Sequence, residues 1–141
     1  MTTLFSSLTT MPAAPVASRG RFALSALWLV QVAVAGMFLM AGGMKLAGAP
    51  AMVALFDTLG VGQWFRYVTG SIEVASGLAL FVPSLAPFGA LLLVPTMVCA
   101  IATHLFIVGG SPMPATVLLA GTLAILWARR GQLVSAWPRR H

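Results

Sequence analysis

Between Phe22 and Met44 the chain carries no charged residue. A helix over that stretch, rising 1.5 Å per residue, is long enough to cross a hydrocarbon core of ~30 Å. Only a helix satisfies its own backbone hydrogen bonds within one such segment. Composition removes the option of a soluble core. Charged residues make up 7% of the 141 and hydrophobic residues 60%, against roughly 25% charged in soluble domains. A water-soluble globule of this size could not cover its surface with so few charges, so the class is an integral membrane protein of one domain.

Three further apolar stretches follow, and the expected fold is an all-α membrane protein. It is a four-transmembrane-helix bundle over residues 22–130, with spans at about 22–44, 64–82, 88–108 and 113–128. Ala51 to Leu59 is too short to cross. Met52, Leu55, Phe56 and Leu59 share one of its faces and Asp57 lies on another, which suits a helix lying in the interface. Trp64, Phe65 and Tyr67 beside Arg66 belong at headgroup level. Pro95 removes one hydrogen bond from the third span and is expected to bend it. The fourth span, at about 24 Å of helix, must start within the preceding turn or sit in a thinned bilayer. Residues 1–21 are rich in Ser, Thr, Ala and Pro and lack the positive start and apolar core of a signal peptide. They are expected to form a mobile cytoplasmic tail, with residues 131–141 as a second.

Net charge is +6, and its placement sets the orientation. With four spans, Arg19, Arg21, Arg129, Arg130, Arg139 and Arg140 fall on one side, and Lys45 and Arg66 on the other. The positive-inside rule puts the larger set, and both termini, in the cytoplasm. No basic stripe with interleaved aromatics exists, so a nucleic-acid partner is excluded; anionic lipid is the natural counterpart. Cys99 is the only cysteine, which excludes an internal disulfide, a CxxC pair and a cysteine-ligated cluster, and it reads as a packing residue. The methionines lie on different helices without paired spacing and read as packing, not as copper ligands. Histidines are too few and too far apart for haem or zinc.

The remaining ionisable groups form one candidate polar cluster: Lys45, Arg66, Glu73 and His104. Glu73 shares a helix face with Arg66, Thr69, Gly70, Ser76 and Gly77, a polar and small-residue face that suits the bundle interior. A buried unpaired carboxylate costs several kcal/mol, so Glu73 is expected to be protonated or paired, with Arg66, Lys45 or His104 as partner. Such a group either fixes helix register or handles protons or a polar ligand. His104 either bonds at the interface, donates to a carbonyl such as that of a quinone, or shuttles protons. Asp57 reads as a solvated residue.

Four segments of the chain resemble the DoxX-like membrane proteins. They are Phe38 to Leu46 (FLMAGGMKL), Trp64 to Gly77 (WFRYVTGSIEVASG), Val82 to Ala90 (VPSLAPFGA) and Ala102 to Leu105 (ATHL), within a likeness spanning about Ala35 to Arg130. The resemblance implies a multi-pass, four-helix protein of the bacterial inner membrane, with Lys45, Glu73 and His104 as family-typical polar residues. It also implies links to thiosulfate oxidation with quinone as acceptor, or to thiol and oxidative-stress enzymes. The expected function is thus a membrane component of a quinone- or thiol-linked redox system, with no metal and no covalent cofactor. It would work beside the bilayer and a redox enzyme subunit, and a homo-oligomer is open to it. The alternatives are a non-enzymatic anchor or assembly partner for a soluble enzyme, and a small-solute or proton carrier. Whether the protein is an enzyme stays open at this point.

Overall fold

The computed structural model describes the backbone of residues 16–136 and the side chains of residues 22–135. The expected leading tail up to residue 15, together with Arg139 and Arg140, lies outside the described residues. Five α-helices follow in order: α1 (Val16–Leu46), α2 (Pro50–Leu59), α3 (Gln63–Leu80), α4 (Ala86–Thr103) and α5 (Met113–Ala136). A π-helical turn, His104–Val108, continues α4. Among the described residues there is no strand.

Helix ends follow local chemistry. At the end of α1 the amides of Gly48 and Ala49 donate to the carbonyls of Lys45 and Met44. This paired closure needs a left-handed residue, and Gly48 takes φ 71. Pro50 then opens α2, where a missing N–H costs nothing. Gly60, also left-handed, stops α2 with its amide on the Asp57 carbonyl.

Two expectations about length change. α1 starts at Val16, inside the stretch expected to be a tail, because Ala17, Ser18 and Arg19 carry no helix breaker. α5 spans 24 residues to Ala136, or about 36 Å, so it needs no thinned bilayer. The polar residues Arg129, Arg130 and Gln132 had hidden that extension, since they end the apolar run without ending the helix. Among the described residues three segments are long and apolar enough to cross a membrane: Phe22–Leu46, Ala86–Val108 and Met113–Ser135. α3, with Gln63, Arg66 and Glu73 among its 18 residues, does not meet that composition alone.

The long helices close into a bundle in which α1 packs on α3 and α5, and α4 packs on α3 and α5. Its core includes Phe38 of α1, Leu80 of α3, Leu93 and Met97 of α4, and Leu118 and Ile125 of α5. The outer faces are apolar: Leu29, Met40, Leu78, Phe106, Val117 and Trp127 are all exposed. Oily outside and small-residue inside is the arrangement of a helical membrane bundle.

Close approach sets the α1–α3 contact. A Cβ on Gly42 would stand 2.8 Å from the Gly70 carbonyl oxygen and 2.8 Å from Val74 Cγ2. One on the next residue, Gly43, would meet nothing within 4 Å. Gly42→Ala is therefore expected to cost about 1–3 kcal/mol through overpacking against backbone that cannot yield. Gly43→Ala is expected to be neutral or to gain up to about 1 kcal/mol from helix propensity. Unfolding of the two purified variants in detergent checks this, and equal effects would refute the packing described.

Candidate functional site

Glu73 is buried, its side chain 3% exposed, on the inward face of α3. Opposite it stands Lys45, in the last turn of α1. Gly70 lets the two helices come close enough: a Cβ there would lie 3.0 Å from Lys45 Cβ. The lysine stem thus runs along α3, and its Nζ donates to Glu73 Oε2 at 2.6 Å. Among the expected partners the carboxylate takes Lys45.

Arg66 does not reach Glu73. It lies seven residues away, about 10 Å along the helix. Its Nε donates to Gln63 Oε1 at 2.6 Å and its Nη1 to the Lys45 carbonyl oxygen. The guanidinium also stacks over the Tyr67 ring, 4.3 Å from the centroid. Gln63 in turn donates to the Val53 carbonyl oxygen at 2.9 Å and to Asp57 Oδ1 at 2.7 Å. Asp57, expected to be merely solvated, is exposed but tied into this chain. The network fastens α2 to α3 and to the end of α1. Gln63 was not singled out from the sequence, although its place one turn before Arg66 was the available signal.

A cavity of about 540 Å³ lies between these elements. Lys45 and Glu73 line it, and so does His104 at the start of the π turn. Arg66 does not. The rest of the wall is mostly apolar, with Phe38 from α1, Leu55 and Phe56 from α2, and Leu92 and Pro95 from α4. The face of α2 read from the sequence, Met52, Leu55, Phe56 and Leu59, is the face turned to the cavity. Cys99 also lines it and is exposed, so it is not the packing residue expected.

His104 Nδ1 lies 3.2 Å from the Gly109 carbonyl oxygen. With the proton on Nδ1 it donates there, and Nε2 of the neutral ring is then an acceptor. Lys45 Nζ has three N–H donors, of which its bond to Glu73 uses one. Donor and acceptor capacity therefore coexist within one apolar enclosure. Its volume lies in the 300–1,000 Å³ range of small-molecule sites.

A second polar cluster sits at the opposite end of the bundle. Gln31 is 1% exposed, its Nε2 donating to the Leu80 carbonyl oxygen and its Oε1 accepting from Arg129 Nε at 2.8 Å. Arg129 Nη1 approaches the Pro83 carbonyl oxygen at 3.4 Å, and the guanidinium lies 5.7 Å from the Trp28 ring centroid. Neither residue was expected here. Arg129 was read only as an orientation signal. A lone amide within a charge-free run was the clue to a buried partner.

A helical membrane bundle with an ion pair set in an apolar cavity defines the class of this protein. The chain matches the DoxX-like family over residues 29–129, which contains Gln31, Lys45, Arg66, Glu73, His104 and Arg129, and it belongs to that family. No curated protein and no solved structure matches it.

Removing one member of a buried pair strands the other charge, at about 3–5 kcal/mol, whereas replacing both by apolar side chains is often neutral. Lys45→Met is expected to destabilise the protein by that order, and Lys45→Met combined with Glu73→Leu to recover most of the loss. Unfolding in detergent checks both. A double variant as unstable as the sum of its singles would show that the pair is not the unit.

Proposed function

We propose that this DoxX-like protein is a membrane component of a redox system, and that its cavity holds the headgroup of a quinone. The observation that carries this reading is the single apolar enclosure lined at once by Lys45, Glu73 and His104. Lys45 supplies N–H donors for a ring carbonyl. Glu73 Oε1 and His104 Nε2 are acceptors for a ring hydroxyl. A bound quinone would carry the electrons; the chain's residues would bind it, orient it and keep water out. A redox enzyme subunit, acting on a thiol or another reduced sulfur compound, is the partner this role requires.

The same reading makes α3 the fourth span. Its two charged groups, Arg66 and Glu73, are met by Gln63, Lys45 and a backbone carbonyl, not left to lipid, and its 18 residues give about 27 Å of helix. Four spans leave both termini on the cytoplasmic side of a bacterial inner membrane. A reporter fused behind His141 is then active only if it works in the cytoplasm, and activity of a periplasm-dependent reporter would refute the orientation.

Purified protein in lipid nanodiscs is expected to bind a quinone. Glu73→Gln and His104→Ala should each weaken binding about tenfold, the loss of one hydrogen bond of ~1.4 kcal/mol. Titration of intrinsic fluorescence measures both. No binding by the natural chain ends this reading.

A non-enzymatic anchor is the second reading, and the Arg66 network favours it, since those bonds join three helices while Arg66 and Gln63 do not line the cavity. Co-purification with a soluble enzyme that survives Glu73→Gln unchanged supports it over the first.

A further inference from the structure

α3 and α4 touch at one end and both border the cavity further along. Near the turn that joins them, a Cβ on Gly89 would lie 2.8 Å from the Ser76 carbonyl oxygen and 3.0 Å from Ala79 Cβ. No side chain fits between the helices there. Towards the other end, both helices contribute residues that line the cavity and are also exposed on the outside of the bundle. Val68 of α3 is 42% exposed, Leu92 of α4 is 57% exposed, and Cys99 of α4 is exposed. A residue that belongs both to a cavity wall and to the outer surface marks an edge of the cavity; Met44 of α1 and Pro114 of α5 do so singly, whereas the α3–α4 edge has such residues on both helices. Pro95, exposed on the same edge, leaves the Leu91 carbonyl without its helical donor.

By helix length the opening falls near the middle of an apolar span. Cys99 lies nine residues, about 14 Å, from the end of the Ala86–Val108 span, close to the middle of a ~30 Å hydrocarbon core. Above it, α2 roofs the cavity with Leu55 and Phe56 and is held down by Gln63 on Val53 and Asp57. Below it, the Gly89 contact closes the helices. The rim is apolar, while Lys45 and Glu73 lie within.

We propose that the cavity opens sideways into the bilayer through the slot between α3 and α4. Its ligand is therefore a membrane-resident amphiphile, headgroup against the Lys45–Glu73 pair and chain leaving past Val68 and Leu92. The identity of the headgroup rests on the quinone reading above; the slot does not.

Cys99 is the only cysteine of the chain and serves as a natural reporter. The full chain, labelled there with a bimane fluorophore, is placed in phosphatidylcholine–phosphatidylglycerol nanodiscs. Lipid with a doxyl group at mid-chain is expected to quench the label several-fold more than aqueous iodide does. Quenching by iodide and not by doxyl lipid overturns the slot. In a second arm, the unlabelled chain and the slot-filling variant Val68→Trp/Leu92→Trp are titrated with decylubiquinone and with its chainless parent quinone. The variant should bind the chain-bearing probe at least tenfold more weakly and the chainless one within twofold. Equal binding of decylubiquinone by both proteins overturns lateral access. Doxyl quenching with no quinone bound by the natural chain sinks the quinone reading alone and leaves the slot standing.

Discussion

Two opposite charges share an apolar interior, and the layout of the bundle follows from their need for each other. Taken from water singly, the Glu73 carboxylate or the Lys45 ammonium would cost several kcal/mol. Held 2.6 Å apart, they offset much of that cost. The distance is short only because α1 and α3 meet through Gly42 and Gly70, where no side chain intervenes. The ion pair and the glycine contact are two aspects of one packing solution. It also explains why a helix as polar as α3 lies within an oily bundle.

Each end of the bundle repeats a related device. At one, the buried Arg66 binds Gln63 and the carbonyl of Lys45 near the end of α1. At the other, the buried Arg129 binds Gln31 and approaches the carbonyl of Pro83, while Gln31 holds the carbonyl of Leu80 at the end of α3. The last carbonyls of a helix lack partners within it. An arginine–glutamine couple supplies donors where lipid and a nearby proline would not. Between these two clamps α3 and α4 both border the cavity.

Much of this was legible in the chain. The inward face of α3 came from helical spacing, since Arg66, Gly70, Glu73, Ser76 and Gly77 recur at three, four and seven residues and are buried. The apolar face of α2 likewise came from spacing alone. Pairing did not. Three basic residues were within plausible reach of Glu73, and side-chain direction, not sequence separation, selected Lys45 and turned Arg66 aside. Gln31 and Arg129 lie 98 residues apart, and no local pattern couples positions on different helices. The extent of α5 was missed because polar residues ended its apolar run while helix propensity continued.

What the amino-acid sequence determined by itself is the solvent: so few charges, in such long apolar runs, leave only helices in a bilayer. It also determined which groups could carry chemistry, because every buried charge in such a protein needs a partner. Tertiary structure decided the partners, the enclosure and the side on which it opens. These depend on where glycines let backbones touch and where helices part. That is a property of facing surfaces, which the periodicity of one helix does not contain.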